Sequence, residues 1–376
     1  LGHRIYSSRL IGSVPDLVMH GGGNTSCKTN MKDLHGHNAE VLCIKGSGWD
    51  LATIEASGLP AVKLAPLREL FTLTKLSDED MINVQRGSLM DQASPNPSVE
   101  TLLHAFLPHK FIDHTHATPF LSLANLPEPE PIVREIFGNR MAIVPYVMPG
   151  FKLAKIAAQI AEENPQAEGL LLLKHGHFTW GQNAKSSYNR VIDQTNKVAD
   201  WFALKHKGAR SQVSVPKDYA LNCIHLIRTA LEQTSTKENP PFVFNWVHDP
   251  QIVGDMNQHI VNGVTGRGVA TPDHVIRIKP KPLVLTSEMM EAGSDTISTA
   301  IENFIYSYTD YFVEHSQKAA EQKTMLDPTP KIIWVENIGL IGVGSSKKEA
   351  ITITDLGKQN VRVIKDAENA GGFCPV

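Results

Sequence analysis

Three segments carry side chains of the kinds that bind metal ions and move protons: Asp113-His114-Thr115-His116, Lys174-His175-Gly176-His177, and Glu100. In an extended chain, residues i and i+2 face the same way, so His114 and His116 can present two imidazoles to one ion. Neutral imidazole is a good ligand for Zn2+ and the neighbouring transition metals. The same spacing also suits two ordinary, partly buried histidines. The second cluster lies where a strand runs into a glycine turn, which aims His175 inward as a third ligand and leaves His177 a supporting role. With 16 histidines in the chain, clusters of this kind also arise by chance. Glu100 follows the proline-rich loop SPNPS, on the first turns of a helix. A carboxylate there can hold a metal at rest and leave it to move a proton in turnover. It can equally be an acid that interacts with the helix dipole.

Two glycine-rich segments are suited to an anion. HGGGNTSCK offers unhindered backbone N–H groups with the side chains of Asn24, Thr25 and Ser26, and KGSGWD offers Gly46, Ser47 and Gly48 at a strand end. Small residues let peptide N–H groups approach a phosphate closely. Each segment also reads as a plain turn. Neither matches a P-loop or a GxGxxG, and GLIGVG at 339–344 has the wrong glycine spacing for dinucleotide binding.

The elements that must position these residues alternate between helix and short strand. A helix over roughly 1–13 precedes the first glycine turn and a polar hairpin, and Val41-Leu42-Cys43-Ile44 reads as a buried strand. Residues 62–91 read as mostly helical, with Ser77 as an N-cap. A further helix begins near Ser98, whose hydroxyl suits an N-cap, and FIDHTHATPF follows as a strand and its exit. In the helix at 151–163, Leu153, Ile156, Ala157 and Ile160 share one face. GLLLLKHGHFTWG is a strand, a turn at Gly176 and a second strand, followed by a helix from about residue 184. This alternation indicates a layered α/β fold.

The 376 residues allow one large or two medium domains. A formal net charge of −3 and a pI of about 6.6 give no electrostatic reason to expect nucleic acid or an anionic membrane as partner. No run of 18 apolar residues suggests a transmembrane helix. The N-terminus begins without Met and lacks the apolar region of a secretory signal. Four scattered cysteines suit a reducing cytoplasm better than a disulfide framework, and Asn24-Thr25-Ser26 is then not a glycosylation site. KGARSQVSVPKD marks a composition shift near residue 208, which divides the chain into domains 1–208 and 209–376; EQTSTKENPP is a second linker-like piece. A weak internal repeat sets LLLLKHGHFTWG on KIIWVENIGLIGVG with Gly181 on Gly344, and FIDHTHATP on ATPDHVIRI with His114 on His274. On that alignment His116 falls on Ile276 and His175 on Ile338, so domain 209–376 reads as a degenerate copy without a metal site.

In this order, GGGNTS, KGSGWDLATIEA, SPNPSVETLLHAFLPHKFIDHTHA, PYVMPGFKLA and LLLLKHGHFTWG resemble the class II aldolase/adducin family. The likeness is closest to the bifunctional rhamnulose-1-phosphate aldolase/dehydrogenase branch. It is dense over residues 1–205, and ATPDHVIRIKPKPLVL and 326–366 extend it over nearly the whole chain. The resemblance implies an α/β/α sandwich around a largely antiparallel sheet. It implies one zinc per chain, or another divalent metal, held by His114, His116 and His175. Glu100 matches the family's acid/base glutamate, which binds the metal at rest. The phosphate pocket maps onto Gly23, Asn24, Ser47, Gly48 and Ser98. Tyr146, in PYVMPG, matches a hydroxyl acid at the aldehyde end of the substrate.

The activity so implied is cleavage of a ketose 1-phosphate, rhamnulose or fuculose type, to dihydroxyacetone phosphate and lactaldehyde. Relatives epimerise or dehydrate sugar phosphates on the same platform, and adducins bind cytoskeleton without metal. Members are usually cytoplasmic homo-oligomers with active sites near subunit boundaries. Branch members often continue into a Rossmann dehydrogenase. This sequence stops at Val376 without a dinucleotide motif, so dehydrogenase activity is not carried over.

Overall fold

The computed structural model describes residues 1–205, 215–234, 242–319 and 322–376. By contact the chain divides into two units, Leu1–His206 with Asn369–Phe373, and Lys207–Glu368 with Cys374–Val376. KGARSQVSVPKD and EQTSTKENPP lie largely outside the described residues. Among the described residues, no helix is long and apolar enough to cross a membrane. All four cysteines are free thiols.

The first unit opens with α1 (Gly2–Gly12) and the hairpin of β1 (Asn24–Lys32) and β2 (Asn38–Ile44). It continues through β3 (Ala61–Lys63), α2 (Leu64–Glu69), α3 (Asp78–Gly87) and α4 (Thr101–Phe106). Then come β4 (Phe111–Thr115), α5 (Thr118–Ala124), α6 (Glu130–Phe137), β5 (Met141–Val144) and α7 (Phe151–Glu163). β6 (Gly169–Leu172), β7 (Gly176–Gly181) and α8 (Ala184–Ala203) complete it. The seven strands form one sheet in the order β3-β2-β1-β4-β7-β6-β5, antiparallel throughout except for the parallel pair β5–β6.

Helices cover both faces. Leu64 and Leu67 of α2, Leu102 and Leu103 of α4, and Leu153 and Ala157 of α7 pack with Leu42, Ile44, Ile112 and Phe178 from the sheet. Each of the leucine, isoleucine and phenylalanine side chains among them, fully buried, contributes about 1.5–3 kcal/mol. α1, α5 and α8 pack together with β4 and β7 as the other layer. The helix starts are chemically marked. Ser77 Oγ accepts from Asp80 N–H (3.0 Å), and Asn183 with Ser186 forms a capping box at α8. The helix expected from Ser98 instead starts at Thr101, with Glu100 in the cap position. Thr101 N–H donates to the Ser98 carbonyl, so a turn precedes the helix and holds Ser98 and Glu100 side by side.

The second unit holds α9 (Lys217–Thr234), β8 (Val243–Val247), α10 (Pro250–Val261), α11 (Pro272–Ile278) and β9 (Leu283–Leu285). α12 (Ser287–Ala292), α13 (Ser294–Ser316), β10 (Ile332–Val335), β11 (Gly339–Gly344) and α14 (Lys347–Ala370) follow. Its sheet runs β8-β11-β10-β9, with β9–β10 parallel and the other pairs antiparallel. That is the order and polarity of β4-β7-β6-β5 in the first unit.

The register corrects the sequence alignment of the two halves. Phe111 pairs with Gly181 as Val243 pairs with Gly344. His114 therefore corresponds to Trp246, and continuing the register sets His116 on His248. His274 lies in α11, so the match of His114 to His274 paired a strand with a helix. The match of His175 to Ile338 holds, since Lys174 and Asn337 before them share a positive φ of 55° and 63°.

Arg4 of α1 and Asp113 of β4, both fully buried, form an ion pair at 2.5 Å, and Asp113 also accepts from Ser187 of α8. Removing one partner of a buried pair strands the other charge and costs about 3–5 kcal/mol. Arg4→Ala is accordingly expected to lower stability by that amount in guanidinium unfolding followed by circular dichroism; an unchanged midpoint would show that the pair is dispensable.

Candidate metal centre

β1, β4 and β7 lie side by side, and their ends meet at one place. Asn24 at the start of β1 pairs with His114 in β4, which pairs in turn with Phe178 in β7. His116 follows β4 immediately, and His175 precedes β7. The sheet register therefore brings together histidines that are 61 positions apart in sequence, from His114 to His175. His114 Nε2 lies 3.1 Å from His116 Nε2. One nitrogen from each of the three rings lies within 4.8 Å of the others. Glu100 faces them, with Oε2 3.3 Å from His114 Nε2 and Oε1 3.1 Å from His175 Nε2.

The protonation pattern suits a cation. His114 Nδ1 is 3.1 Å from the His177 carbonyl oxygen. That oxygen only accepts, so Nδ1 carries the proton and Nε2 turns its lone pair toward His116 and Glu100. Burial pushes His114 down to about 3, which keeps the ring neutral, the form that ligates metal. Burial also works to raise the Glu100 carboxyl, but the surrounding rings of His114, His175 and His116 hold it well below the usual carboxylate range. Both carboxylate oxygens of Glu100 face the cluster, Oε1 toward His175 and Oε2 toward His114. Converging imidazole lone pairs beside a buried carboxylate are a donor set that could hold a divalent metal ion. Among the described residues, His114, His116 and His175 are the group of three that can hold a metal ion.

Two glycines make room for this arrangement. A Cβ on Gly176 would stand 2.6 Å from the Thr115 carbonyl oxygen and 2.9 Å from His114 Cε1. Gly23 has φ +57°, and a Cβ there would lie 2.6 Å from the His114 carbonyl oxygen. Both are backbone approaches that a side chain would force apart. His177 supports the site: its Nε2 is 2.7 Å from Gln194 Oε1 and its ring stacks on Phe120.

The other expected residues divide into two groups. Asn24 and Ser98 join the centre directly, since Asn24 Nδ2 donates to Glu100 Oε2 (2.6 Å) and to Ser98 Oγ (3.1 Å). Ser47 and Gly48 are exposed on the neighbouring loop. That loop is stitched to the others: Ser47 N–H donates to the Asn96 carbonyl, and Ser98 N–H to that of Lys45. The buried Lys45 ammonium donates to the carbonyls of Gly21 (3.0 Å) and Trp49 (2.8 Å), tying both glycine-rich segments together. Tyr146 is half-buried in the loop after β5, its hydroxyl 3.1 Å from Met148 Sδ and its ring below the Lys174 ammonium.

The sequence profile described as "Class II Aldolase and Adducin N-terminal domain" matches residues 5–196, which is half of the chain and holds every residue of this centre. The chain belongs to the class II aldolase/adducin family. A second profile, "Aldolase class II, second domain", matches residues 219–376. The N-terminal class II aldolase domain of a conserved protein from Thermoplasma acidophilum is 39% identical, with a TM-score of 0.50, over 53% of this chain and 92% of that one. The uncharacterized oxidoreductase YuxG of Bacillus subtilis is 32% identical over 98% of this chain. The chain spans 54% of the length of that relative.

Sequence reasoning missed Lys45 and His104. His104 lies in α4 one helical turn after Glu100, and that spacing was the available signal. Two variants test the centre through zinc content, measured by elemental analysis. About one zinc per chain is expected in the wild type and none in His114→Ala. Gly176→Ala should lose most of its zinc while keeping its far-UV spectrum; full occupancy would contradict the close approach described here.

Proposed function

We propose that the protein is a zinc-dependent lyase that cleaves a ketose 1-phosphate of the rhamnulose or fuculose type to dihydroxyacetone phosphate and lactaldehyde. The observation that carries this reading is the convergence of His114, His116 and His175 on the buried Glu100 carboxylate, beside glycine-rich segments joined by Lys45. His114, His116, His175 and, at rest, Glu100 would hold the metal. When bound, zinc supplies a Lewis acid for the negative charge left on the ketose oxygens as the C3–C4 bond breaks.

The chain's own residues do the rest. Glu100 is aimed into the cluster and is ionised at rest, so it can take the proton released from the C4 hydroxyl and deliver it to C3 of the three-carbon fragment. Asn24 donates to the carboxylate and fixes its angle. Ser98 Oγ, at the other N–H of that amide, together with the backbone of Gly23, Ser47 and Gly48, forms the phosphate end of the site. Tyr146, whose ring lies below the ammonium of Lys174, the residue before His175, would pass on the proton that the C4 hydroxyl gives up at the aldehyde end. The second unit, with Trp246, His248 and Ile338 at the three ligand positions, is then a copy whose site is closed by Trp246 and His248, both donating to the Ile338 carbonyl. On this reading the chain works as a homo-oligomer.

The deciding experiment is release of dihydroxyacetone phosphate from rhamnulose 1-phosphate and fuculose 1-phosphate by zinc-loaded protein. Glu100→Gln should keep most of its zinc and lose kcat by roughly 10²–10⁴-fold; near-normal turnover would remove Glu100 from its role. Ser98→Ala should raise KM with little change in kcat, and an unchanged KM would place the phosphate elsewhere.

A further inference from the structure

Ser26, His104 and Asn24 form an unbroken run of hydrogen bonds that ends on Glu100, and the proposed reaction uses only its last link, from Asn24 to Glu100. His104 is fully buried. Its Nδ1 lies 2.7 Å from Ser26 Oγ and its Nε2 2.5 Å from Asn24 Oδ1. The Asn24 amide then donates both N–H bonds, to Glu100 Oε2 and Ser98 Oγ. Ser26 and Asn24 are two residues apart on β1 and so share a face, and the His104 ring spans the gap between them.

The direction of each bond follows from the end of the run. An ionised carboxylate only accepts, so Asn24 must turn its NH2 group to Glu100 and its carbonyl oxygen to His104. That oxygen only accepts, so His104 Nε2 carries the ring proton and Nδ1 accepts from the Ser26 hydroxyl. Burial pushes His104 down to about 3, which leaves the ring neutral with a single proton. The amide has no such preference of its own. Rotated by half a turn it keeps nearly the same shape but sets its oxygen against the Glu100 carboxylate, two acceptors facing each other in a buried place.

We propose that His104 is a positioning residue for Glu100: its Nε2–H locks the Asn24 amide in the one orientation in which both N–H bonds reach Glu100 and Ser98. The inference deepens the reading of the site as a metal-dependent lyase and rests on it for its kinetic part. One fixed amide sets both the angle of the carboxylate and the place of Ser98 at the phosphate end. Loss of His104 should therefore disturb ligation and proton transfer while the fold persists.

The test compares His104→Leu, His104→Gln and Ser26→Ala in the full chain. Leu fills similar volume without a donor, whereas Gln can place an N–H where the ring Nε2–H stands. His104→Leu should lose roughly 10- to 100-fold in zinc affinity, read by chelator competition, and a similar factor in kcat on fuculose 1-phosphate or rhamnulose 1-phosphate. KM should rise as well, because the same amide holds Ser98 at the phosphate end. His104→Gln should recover most of both losses. Ser26→Ala, which frees the ring to take its other tautomer, should fall between wild type and His104→Leu. Equal losses in the Leu and Gln variants, or zinc affinity and kcat within about twofold of wild type in folded His104→Leu, would overturn the proposal. Should His104→Leu not fold, a Ser26→Ala variant like wild type beside an impaired His104→Gln would overturn it as well. Chelator competition needs no substrate, so it tests His104 even if neither ketose 1-phosphate is cleaved.

Discussion

Glu100 is a carboxylate buried among strands, and an isolated buried charge costs several kcal/mol unless its surroundings compensate it. Much of the first unit can be understood as that compensation. The Asn24 amide donates to it, His104 holds the amide in place, and the three histidine rings beside it complete a pocket that could hold a metal cation. The register of β1, β4 and β7 is what allows these residues to meet. A slip of one residue would turn His114 to the opposite face of the sheet and separate it from both partners. The glycines at 23 and 176 serve the same end, because they allow backbone to approach His114 more closely than any side chain would permit. A buried charge pair, Arg4 with Asp113, sits one residue from His114 and ties β4 to the first helix.

The chemistry of the centre was legible in the sequence because its residues come in short, typed clusters. The HxH at 114–116 and the KHGH turn lie at the end of β4 and the start of β7, whereas the SPNPSVE loop carries Glu100 at the cap of α4 and not on its first turns. The helix at 151–163 was equally clear, since its apolar face repeats at helical spacing. His104 and Lys45 escaped notice because their roles are tertiary. A histidine inside ETLLHAF looks like an ordinary core residue until Ser26 and Asn24 are seen on either side of it. Lys45 looks like a solvated charge until its ammonium is found between two loop carbonyls.

The second unit shows where sequence comparison fails and topology succeeds. Identities drew His114 onto His274 through the shared Asp-His pair, yet one lies in a strand and the other in a helix. Strand order, polarity and register instead align His114 with Trp246, and the positive φ shared by Lys174 and Asn337 marks the same turn in both sheets. Where the first sheet ends in converging lone pairs, the second ends in hydrogen bonds from Trp246 and His248 to the Ile338 carbonyl. The two sheets share a hydrogen-bonded frame and differ in the side chains at its end, because the frame depends on backbone pairing and a site on a few side chains.

The measurement closest to the central claim is zinc-edge X-ray absorption on the metal-loaded protein. The expected first shell is imidazole nitrogens and carboxylate oxygen at about 2.0–2.2 Å, with the multiple-scattering pattern of about three imidazoles and no sulfur. A sulfur contribution near 2.3 Å, or fewer than two imidazoles, would place the metal away from His114, His116 and His175 and contradict the account.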